Sequence, residues 1–179
     1  MVVLLTGPAG VGKDTLIREI VRLDTSLKWV PKYTNRLLRE DEKGRVHADD
    51  SELVKMEEEG KVRIIVNKFG IKIAEPISDI RDALVKGLVP IIDYSIGDVS
   101  DFRARIGAQV FNVYVSPPNK EDLKLRLEKA GRVERLEAGI SELREVENGN
   151  FSKNIDFHVV NHDVESTARS ILAGIKTAK

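Results

Sequence analysis

The fold class can be inferred from Gly7-Pro8-Ala9-Gly10-Val11-Gly12-Lys13, which joins an apolar run to an amphipathic one. The residues before it, Met1 to Thr6, are almost all apolar and predict a buried strand. The residues after it, Lys13 to Leu23, place apolar side chains at helical spacing. A Gly-x4-Gly-Lys loop between a strand and a helix is the context that the Walker A motif requires. The sequence therefore predicts a phosphate-binding loop here.

The chemistry of this loop follows from its residue types. Glycines adopt backbone angles closed to other residues, so successive N–H groups turn inward onto phosphate oxygens. The N-terminus of the helix adds a partial positive charge, and Lys13 adds a full one. The alternative is a glycine-rich turn that binds no ligand. We expect the nucleotide phosphates to contact Gly7, Pro8, Ala9, Gly10, Val11, Gly12, Lys13, Asp14 and Thr15.

The residue after the loop lysine departs from the motif. Walker A loops carry Ser or Thr there, whose hydroxyl binds Mg²⁺, whereas this chain has Asp14 followed by Thr15. A carboxylate binds Mg²⁺ directly or through water, but it repels phosphate when the metal is missing. We therefore predict Asp14 as the metal ligand and a stricter Mg²⁺ requirement than a hydroxyl gives.

Apolar and amphipathic stretches alternate along the rest of the chain, which is typical of an α/β fold with a parallel sheet flanked by helices. The continuous Val- and Ile-rich runs favour a sheet covered on both faces. A mixed insert at about 34–73 interrupts the alternation and predicts a smaller subdomain. The predicted strands are Met1 to Thr6, Trp29 to Tyr33, Val62 to Val66, Gly70 to Ile73, Val89 to Tyr94, Val110 to Val115 and Phe157 to Asn161, and the predicted helices are Lys13 to Leu23, Ser51 to Glu59, Ser78 to Lys86, Lys120 to Lys129, Val133 to Glu147 and Val164 to Thr177.

Composition excludes several classes of protein. The chain has 179 residues, 29 Lys plus Arg, 29 Asp plus Glu and no Cys. Its length predicts one domain, and the missing cysteines exclude disulfides and thiolate metal sites. A zero net charge argues against binding to a nucleic-acid polymer, and the short apolar runs argue against a membrane span or a signal peptide. We expect a cytoplasmic protein.

Several further motifs follow the loop in a recognisable order. They are Tyr33-Thr34-Asn35-Arg36-Leu37-Leu38-Arg39, then Glu42 and Gly44, then Phe69-Gly70, Ser116-Pro117-Pro118 with Arg126-Leu127, and Asp156-Phe157-His158-Val159-Val160-Asn161. With them the chain resembles the guanylate kinase family of P-loop nucleoside monophosphate kinases over nearly its whole length. The resemblance implies a core at 1–33 and 74–179, an acceptor-binding insert at about 34–73 and a short lid at about 126–144. It also implies ATP and Mg²⁺ as cofactors.

Arg36 and Arg39 resemble the family's pair that binds the acceptor's phosphate. Two guanidinium groups on one loop present planar forks to a single phosphate, which Lys cannot imitate. The alternative is a solvated loop of mixed charge. His47 falls where the family has a phosphate-contacting Tyr, although a lone surface His is the other interpretation. Phe69 replaces the second of the family's paired Tyr residues and lacks its hydroxyl.

The base-reading residues depart further from the family. Its guanine-binding Glu falls on Ile64, and its nearby Ser falls on Lys32. Isoleucine cannot accept a hydrogen bond from guanine, so either Glu75 or Asp93 supplies the carboxylate or the acceptor is another molecule. Asp93 is also a candidate for holding Mg²⁺ through water, or for capping a turn. The related ribose 1,5-bisphosphate kinases share the fold, the Asp after the loop Lys and the missing Glu.

The charged segment after Arg126 predicts a lid. Arg132 and Arg135 match the family's lid arginines, which align the phosphates and neutralise the transferred phosphoryl group. The alternative is a surface helix with salt bridges, since acidic residues lie among the basic ones. By the same resemblance Asn161 lies near the adenine, although it is also a typical turn residue.

Together these observations predict an ATP-dependent phosphotransferase. Lys13, Arg132 and Arg135 are the expected catalytic residues, and Arg36, Arg39, His47 and Asp93 are expected to bind the acceptor. GMP is the first candidate acceptor and ribose 1,5-bisphosphate the second, and a non-catalytic binding module is the third possibility. The expected partner is a small phosphorylated molecule, and we expect a monomer or a homodimer.

Overall fold

The computed structural model describes residues 1–40, 42–66 and 71–178. In these residues nine strands and seven α-helices follow one another along the chain. The strands are β1 (Val2–Thr6), β2 (Leu27–Trp29), β3 (Lys32–Thr34), β4 (Arg45–His47), β5 (Arg63–Val66), β6 (Lys72–Glu75), β7 (Val89–Asp93), β8 (Val110–Ser116) and β9 (Phe157–Val160). The helices are α1 (Lys13–Leu23), α2 (Asp50–Glu58), α3 (Ile77–Val85), α4 (Val99–Ile106), α5 (Lys120–Lys129), α6 (Leu136–Glu147) and α7 (Val164–Thr177).

The main sheet has five parallel strands in the order β2-β7-β1-β8-β9. Both faces of β1 are buried, because α1 and α7 pack on one side of the sheet and α3, α4 and α6 on the other. This explains its unbroken apolar sequence. The predicted parallel sheet flanked by helices is confirmed. The carboxyl ends of β1, β7 and β8 meet at one edge, where parallel α/β sheets place their ligands.

A second sheet, in the order β4-β3-β6-β5, contains both parallel and antiparallel pairs. One face packs on Leu53 of α2 through Tyr33, Ile64 and Ala74. The sequence prediction of a single strand from Trp29 to Tyr33 is wrong, because that stretch divides between the two sheets. Val30 still donates to the carbonyl of Ile91, but proline lacks the amide needed to continue the ladder, so the chain leaves the main sheet at Pro31.

The predicted helix from Val133 to Glu147 begins later than expected, since Val133–Arg135 forms a 3₁₀ turn and α6 starts at Leu136. Leu143 of α6 packs on Leu123 and Leu127 of α5, which holds the segment above the P-loop. The predicted turn at 67–69, the start of the strand predicted from Gly70, and Phe69 lie outside the described residues. No helix in the described part of the chain is long and apolar enough to span a membrane.

Candidate active site

The loop between β1 and α1 has the backbone of an anion-binding loop. Gly7, Gly10 and Gly12 adopt positive φ angles of 136°, 85° and 99°. A Cβ at Gly7 would lie 2.2 Å from the carbonyl oxygen of Val115, so the loop approaches β8 too closely for any side chain there. The glycines are therefore required by both backbone angle and space.

Several backbone amides in this loop and in the first turn of α1 are unused hydrogen-bond donors. Within the described residues, the amides of Gly10, Gly12, Lys13 and Asp14 donate no hydrogen bond to the protein. Gly12 caps α1 without any side-chain hydrogen bond, so the positive end of the helix dipole is open. Unsatisfied amides at a helix N-terminus are a site for phosphate oxygens.

Lys13 lies over the same loop. Its Nζ donates to the carbonyls of Gly7 at 2.6 Å and Pro8 at 3.1 Å, and lies 3.7 Å from Oδ1 of Asp93. The ammonium is thus held by groups that a bound phosphate would replace. Burial raises the pKa of Glu142 on α6, and the positive charge of Lys13 opposes that rise, which places the lid helix close to the loop.

Two residues from the far end of the chain fix the loop's conformation. Arg126 donates to the carbonyls of Val11 at 3.1 Å and Asn161 at 2.8 Å. Nδ2 of Asn161 donates to the same Val11 carbonyl at 2.8 Å, and its backbone N–H donates to Ser116. The Oδ1 of Asn161 is buried with no hydrogen-bond partner in the described structure. A buried orphan oxygen of this kind calls for a donor from a ligand or a water.

Two carboxylates flank Lys13. Burial raises the pKa of Asp14, and the negative charge of Asp93 adds to that rise. Burial also acts to raise the pKa of Asp93, but the charges of Lys13, Arg45 and Lys32 outweigh it and hold the pKa below its usual range. A divalent cation relieves the repulsion between two such carboxylates, and oxygen ligands are those that Mg²⁺ prefers. The donor set fits Mg²⁺.

Arginines from the acceptor loop and the lid converge in space. Arg36 forms an ion pair with Glu42, and the backbone N–H of Arg39 donates to the same carboxylate at 3.4 Å. Burial lowers the pKa of Arg132, and the positive charges of Arg39 and Arg135 lower it further. The charges of Glu134 and Glu42 also act on Arg132, so the three arginines and these two carboxylates form a region of net positive charge, which is suited to a phosphate.

Three predicted residues lie at the margin of the site. Thr15 is exposed in the first turn of α1. Arg135 is exposed and lies 3.7 Å from Glu134, measured from its Nε. His47 is exposed and lines an open cavity of about 350 Å³ beside α2, together with Tyr33 and Lys55. The assignment of His47 to the acceptor's phosphate stays a prediction.

The strand register decides which residues face the cleft between the two sheets. Ile64 pairs with Ala74 and lies on the α2 face, so the alignment of the missing Glu with Ile64 points to the wrong face of β5. Lys32 lies on the opposite face, which it shares with Glu75. A cleft-facing substitute for the missing Glu must therefore come from Glu75 or from outside this sheet.

Both candidate carboxylates are already bound. Glu75 is fully buried, accepts from Tyr94, and forms a two-pronged ion pair with Arg105 at 3.0 and 3.3 Å. Asp93 is bound by Arg45 at 3.2 Å as well as by Lys13. Sequence reasoning missed Arg45 and Arg105, because they lie in short charged stretches with no motif. In the sequence, the charged Glu75 just after a predicted strand was the signal that a cationic partner such as Arg105 would be needed.

Comparisons with known proteins agree with this geometry. No family model matches the chain. The guanylate kinase of Prochlorococcus marinus strain MIT 9312 is 26% identical over 182 residues, which cover 98% of this chain and 96% of that protein. Guanylate kinase 1 of rice (Oryza sativa subsp. japonica) is 28% identical and covers 92% of this chain and 44% of its own length.

Solved structures show the same fold. The guanylate kinase of Anaplasma phagocytophilum superposes with a TM-score of 0.73 at 20% identity and covers 99% of this chain and 85% of that one. The shikimate kinase of Acinetobacter baumannii superposes with a TM-score of 0.52 at 16% identity and covers 99% and 93%. The likeness to guanylate kinases, predicted from the motifs, is confirmed, and the fold is that of a P-loop kinase.

Proposed function

We propose that this chain, a relative of the guanylate kinases, transfers the γ-phosphoryl group of ATP to the phosphate of a small acceptor molecule, with GMP as the first candidate. The observation that carries the proposal is the convergence of two anion-binding groups. The open amides around Lys13 suit one polyphosphate, and the cluster of Arg39, Arg132 and Arg135 suits a second phosphate beside it.

In the proposed reaction an oxygen of the acceptor's phosphate attacks the γ-phosphorus in line. An O–P bond forms there while the bond from the γ-phosphorus to the β–γ bridging oxygen breaks, and ADP leaves. No protein nucleophile is required, so the protein's task is to align the two phosphates and to neutralise their charge. Lys13 binds the transferred group once the phosphate releases its ammonium from the carbonyls of Gly7 and Pro8.

The lid arginines act on the same group. Arg132 is half-buried against Arg39, so an anion between them relieves their repulsion and draws the lid and the acceptor loop together. Closure excludes water, which otherwise takes the phosphoryl group and wastes ATP. Asp14 and Asp93 would hold Mg²⁺, and when bound this ion neutralises charge on the phosphates. Asn161 supports the loop and offers its free Oδ1 to the adenine side of the nucleotide.

A second acceptor, ribose 1,5-bisphosphate, is favoured by one observation. The cleft carries the buried ammonium of Lys32, whereas Glu75 and Asp93 are already bound by cations. A neutral base that needs a free carboxylate is less well served by this cleft than an anionic group is. The two acceptors share the same reaction and the same P-loop chemistry.

The test is a coupled assay of ADP release from ATP and Mg²⁺ with GMP, the other nucleoside monophosphates and ribose 1,5-bisphosphate. We expect turnover with GMP or with ribose 1,5-bisphosphate well above that with AMP and with the pyrimidine nucleoside monophosphates. We expect Lys13→Ala to lower kcat/KM at least a thousandfold, and Lys86→Ala, at an exposed lysine, to leave it unchanged. A non-catalytic binding module releases no ADP with any acceptor, and that result would remove the proposal.

A further inference from the structure

Lys32 is a buried cation that has no hydrogen-bond or ion-pair partner among the described residues. Lys32 is the first residue of β3 and is 8% exposed. Its Nζ lies 3.9 Å from the centroid of the Tyr94 ring. In the described part of the chain its ammonium forms no hydrogen bond and no ion pair within 4.0 Å. The ring face attracts the cation, but it leaves the three N–H donors of the ammonium unsatisfied.

Burial of an ammonium without a direct partner costs free energy of folding. An ammonium removed from water needs a partner of opposite charge and hydrogen-bond acceptors for its protons. Three carboxylates act on Lys32 without contacting it. Glu75 is bound by Arg105 and Tyr94, Asp93 is bound by Arg45 and Lys13, and the exposed Asp98 lies beyond 4.0 Å of the ammonium. The described residues therefore leave the ammonium without a direct partner.

The surroundings of Lys32 show where a ligand of its ammonium would lie. Lys32 is opposite Arg45 in the pairing of β3 with β4, and Arg45 contacts Asp93 at the end of β7. Tyr94 follows directly and lies under the ammonium. This is the junction of the main sheet with the second sheet, and it adjoins the P-loop through the contact of Asp93 with Lys13. A ligand of Lys32 would thus lie between the two sheets, next to the P-loop.

The residues that face the cleft beside Lys32 determine which ligand groups the site accepts. The cleft-facing neighbours of Lys32 on the second sheet include the apolar Ile65 and Ile73, and Glu75, whose oxygens are occupied. These residues offer a strong hydrogen-bond donor, whereas the carboxylate of Glu75 is occupied and the exposed Asp98 lies beyond 4.0 Å of the ammonium. The site suits a group that presents oxygen lone pairs or negative charge, and it disfavours a group that presents N–H donors.

We propose that Lys32 is a specificity-determining residue, which binds an oxygen of the acceptor molecule other than those of its reacting phosphate. Two sources carry this chemistry: the 6-oxo group of guanine and a second phosphate. This proposal rests on the proposed function and deepens it. Under it the 2-amino group of guanine contributes little, so IMP is accepted about as well as GMP. AMP, with an amino group at position 6, and ribose 5-phosphate, with no second phosphate, are poor acceptors.

The test compares Lys32→Met, which keeps an apolar stem of similar length but removes the charge, with the matched surface variant Lys61→Met. Lys61 is half-exposed and pairs only with Glu59 among described residues. For the preferred acceptor we expect Lys32→Met to lower kcat/KM by about 10- to 100-fold, the range for one charge-assisted hydrogen bond, and to leave the KM for ATP unchanged. We expect Lys61→Met to change neither.

The ratio between acceptors separates a specific contact from general damage. In the wild type the ratio of kcat/KM for IMP over AMP, or for ribose 1,5-bisphosphate over ribose 5-phosphate, is expected to be high, and in Lys32→Met it falls towards one. If the wild type prefers IMP and GMP, the partner of Lys32 is the 6-oxo group. If it prefers ribose 1,5-bisphosphate, the partner is the second phosphate. An unchanged ratio overturns the proposal, and so does a wild type that prefers AMP or ribose 5-phosphate.

A binding readout separates this proposal from the proposed function. Burial lowers the pKa of Lys32 to about 8, and the charged groups that face it are Asp93, Arg45, Glu75 and Asp98. Lysine-selective NMR, with Lys32→Arg for assignment, follows the protonation of Lys32 with pH. A saturating acceptor raises this midpoint if its oxygen meets the ammonium, even in a protein that transfers no phosphate. An unmoved midpoint in an enzyme with normal turnover overturns the role of Lys32 and leaves the kinase proposal intact.

Discussion

Arg105→Met tests the ion pair that supports the acceptor cleft. Glu75 is fully buried, and Arg105 binds both of its oxygens from α4 at 3.0 and 3.3 Å. Removing one partner of a buried pair leaves an uncompensated charge and costs about 3–5 kcal/mol. We expect the lower end, about 3 kcal/mol, because Tyr94 still donates to Glu75 and Arg63 lies 3.9 Å away.

The assay is thermal unfolding followed by circular dichroism, in a double-mutant cycle. For a chain of this length, a loss of about 3 kcal/mol lowers Tm by roughly 6–12 °C. The matched control is Arg169→Met, whose partner Glu165 is on the same helix face with both side chains more than half exposed. An exposed pair of this kind contributes about 0.5 kcal/mol or less, so the control shifts Tm by about 1–2 °C.

The double variant Glu75→Gln/Arg105→Met isolates the charge. Glutamine keeps an oxygen for Tyr94 and removes the buried negative charge, so we expect it to recover about 2 kcal/mol of the loss. Two results would refute this reasoning. One is an Arg105→Met protein as stable as Arg169→Met, and the other is a double variant as unstable as the single one.

Three further predictions follow from the site. Lys32→Met raises Tm of the ligand-free protein at pH 7, because burial lowers the pKa of Lys32 from 10.5 to about 8 and the charged form costs up to about 3 kcal/mol. That cost is full below pH 8 and fades as the pH rises to about 10.5, so the gain is much smaller in unfolding curves at pH 10. A pH-independent gain contradicts the reasoning. For Asp14→Asn we expect the Kd for ATP without Mg²⁺, divided by the Kd for ATP with Mg²⁺, to fall about tenfold in calorimetric titrations, because the variant lacks a carboxylate that repels phosphate. The exposed Asp82→Asn is the control, and an equal ratio in both variants is the adverse result. Asn161→Ala raises the KM for ATP about tenfold, because the Val11 carbonyl loses a buried hydrogen bond, while the KM for the acceptor stays constant; equal changes in both KM values would disprove the assignment.

Local chemistry allowed much of the fold to be predicted. α1, α5 and α7 begin and end at the predicted residues, because the signals that start them are local. α5 follows Asn119, whose side chain accepts from Asp122, and α7 follows Asp163, whose side chain accepts from Glu165 and Ser166. The short strand β4, with an Arg and a His in three residues, has no apolar pattern and was not predicted.

The prediction that failed was one that a local pattern cannot decide. The apolar stretch around Val30 predicts a strand, but its division between two sheets depends on which neighbours accept its amides, and these come from β7 and from β6. The alignment of the family's Glu with Ile64 leaves a related question that a local pattern cannot decide, namely which face of β5 the residue lies on. A shift of one residue in register exchanges the two faces of a strand, and register is set by the partner strand.

The phosphate-binding loop is recognisable from the amino-acid sequence alone, because the spacing of its glycines and Lys13 is a local motif, although Arg126 and Asn161 from distant segments hold its conformation. What the folded molecule adds is which charges remain available. Glu75 is a candidate acceptor contact by sequence, and Lys32 stands where the family has a Ser near the base. In the structure Arg105 and Tyr94, from other elements, occupy the carboxylate, and the ammonium is left without a partner among the described residues. The electrostatic state of a buried group depends on what surrounds it in space, and that is settled only when distant segments meet.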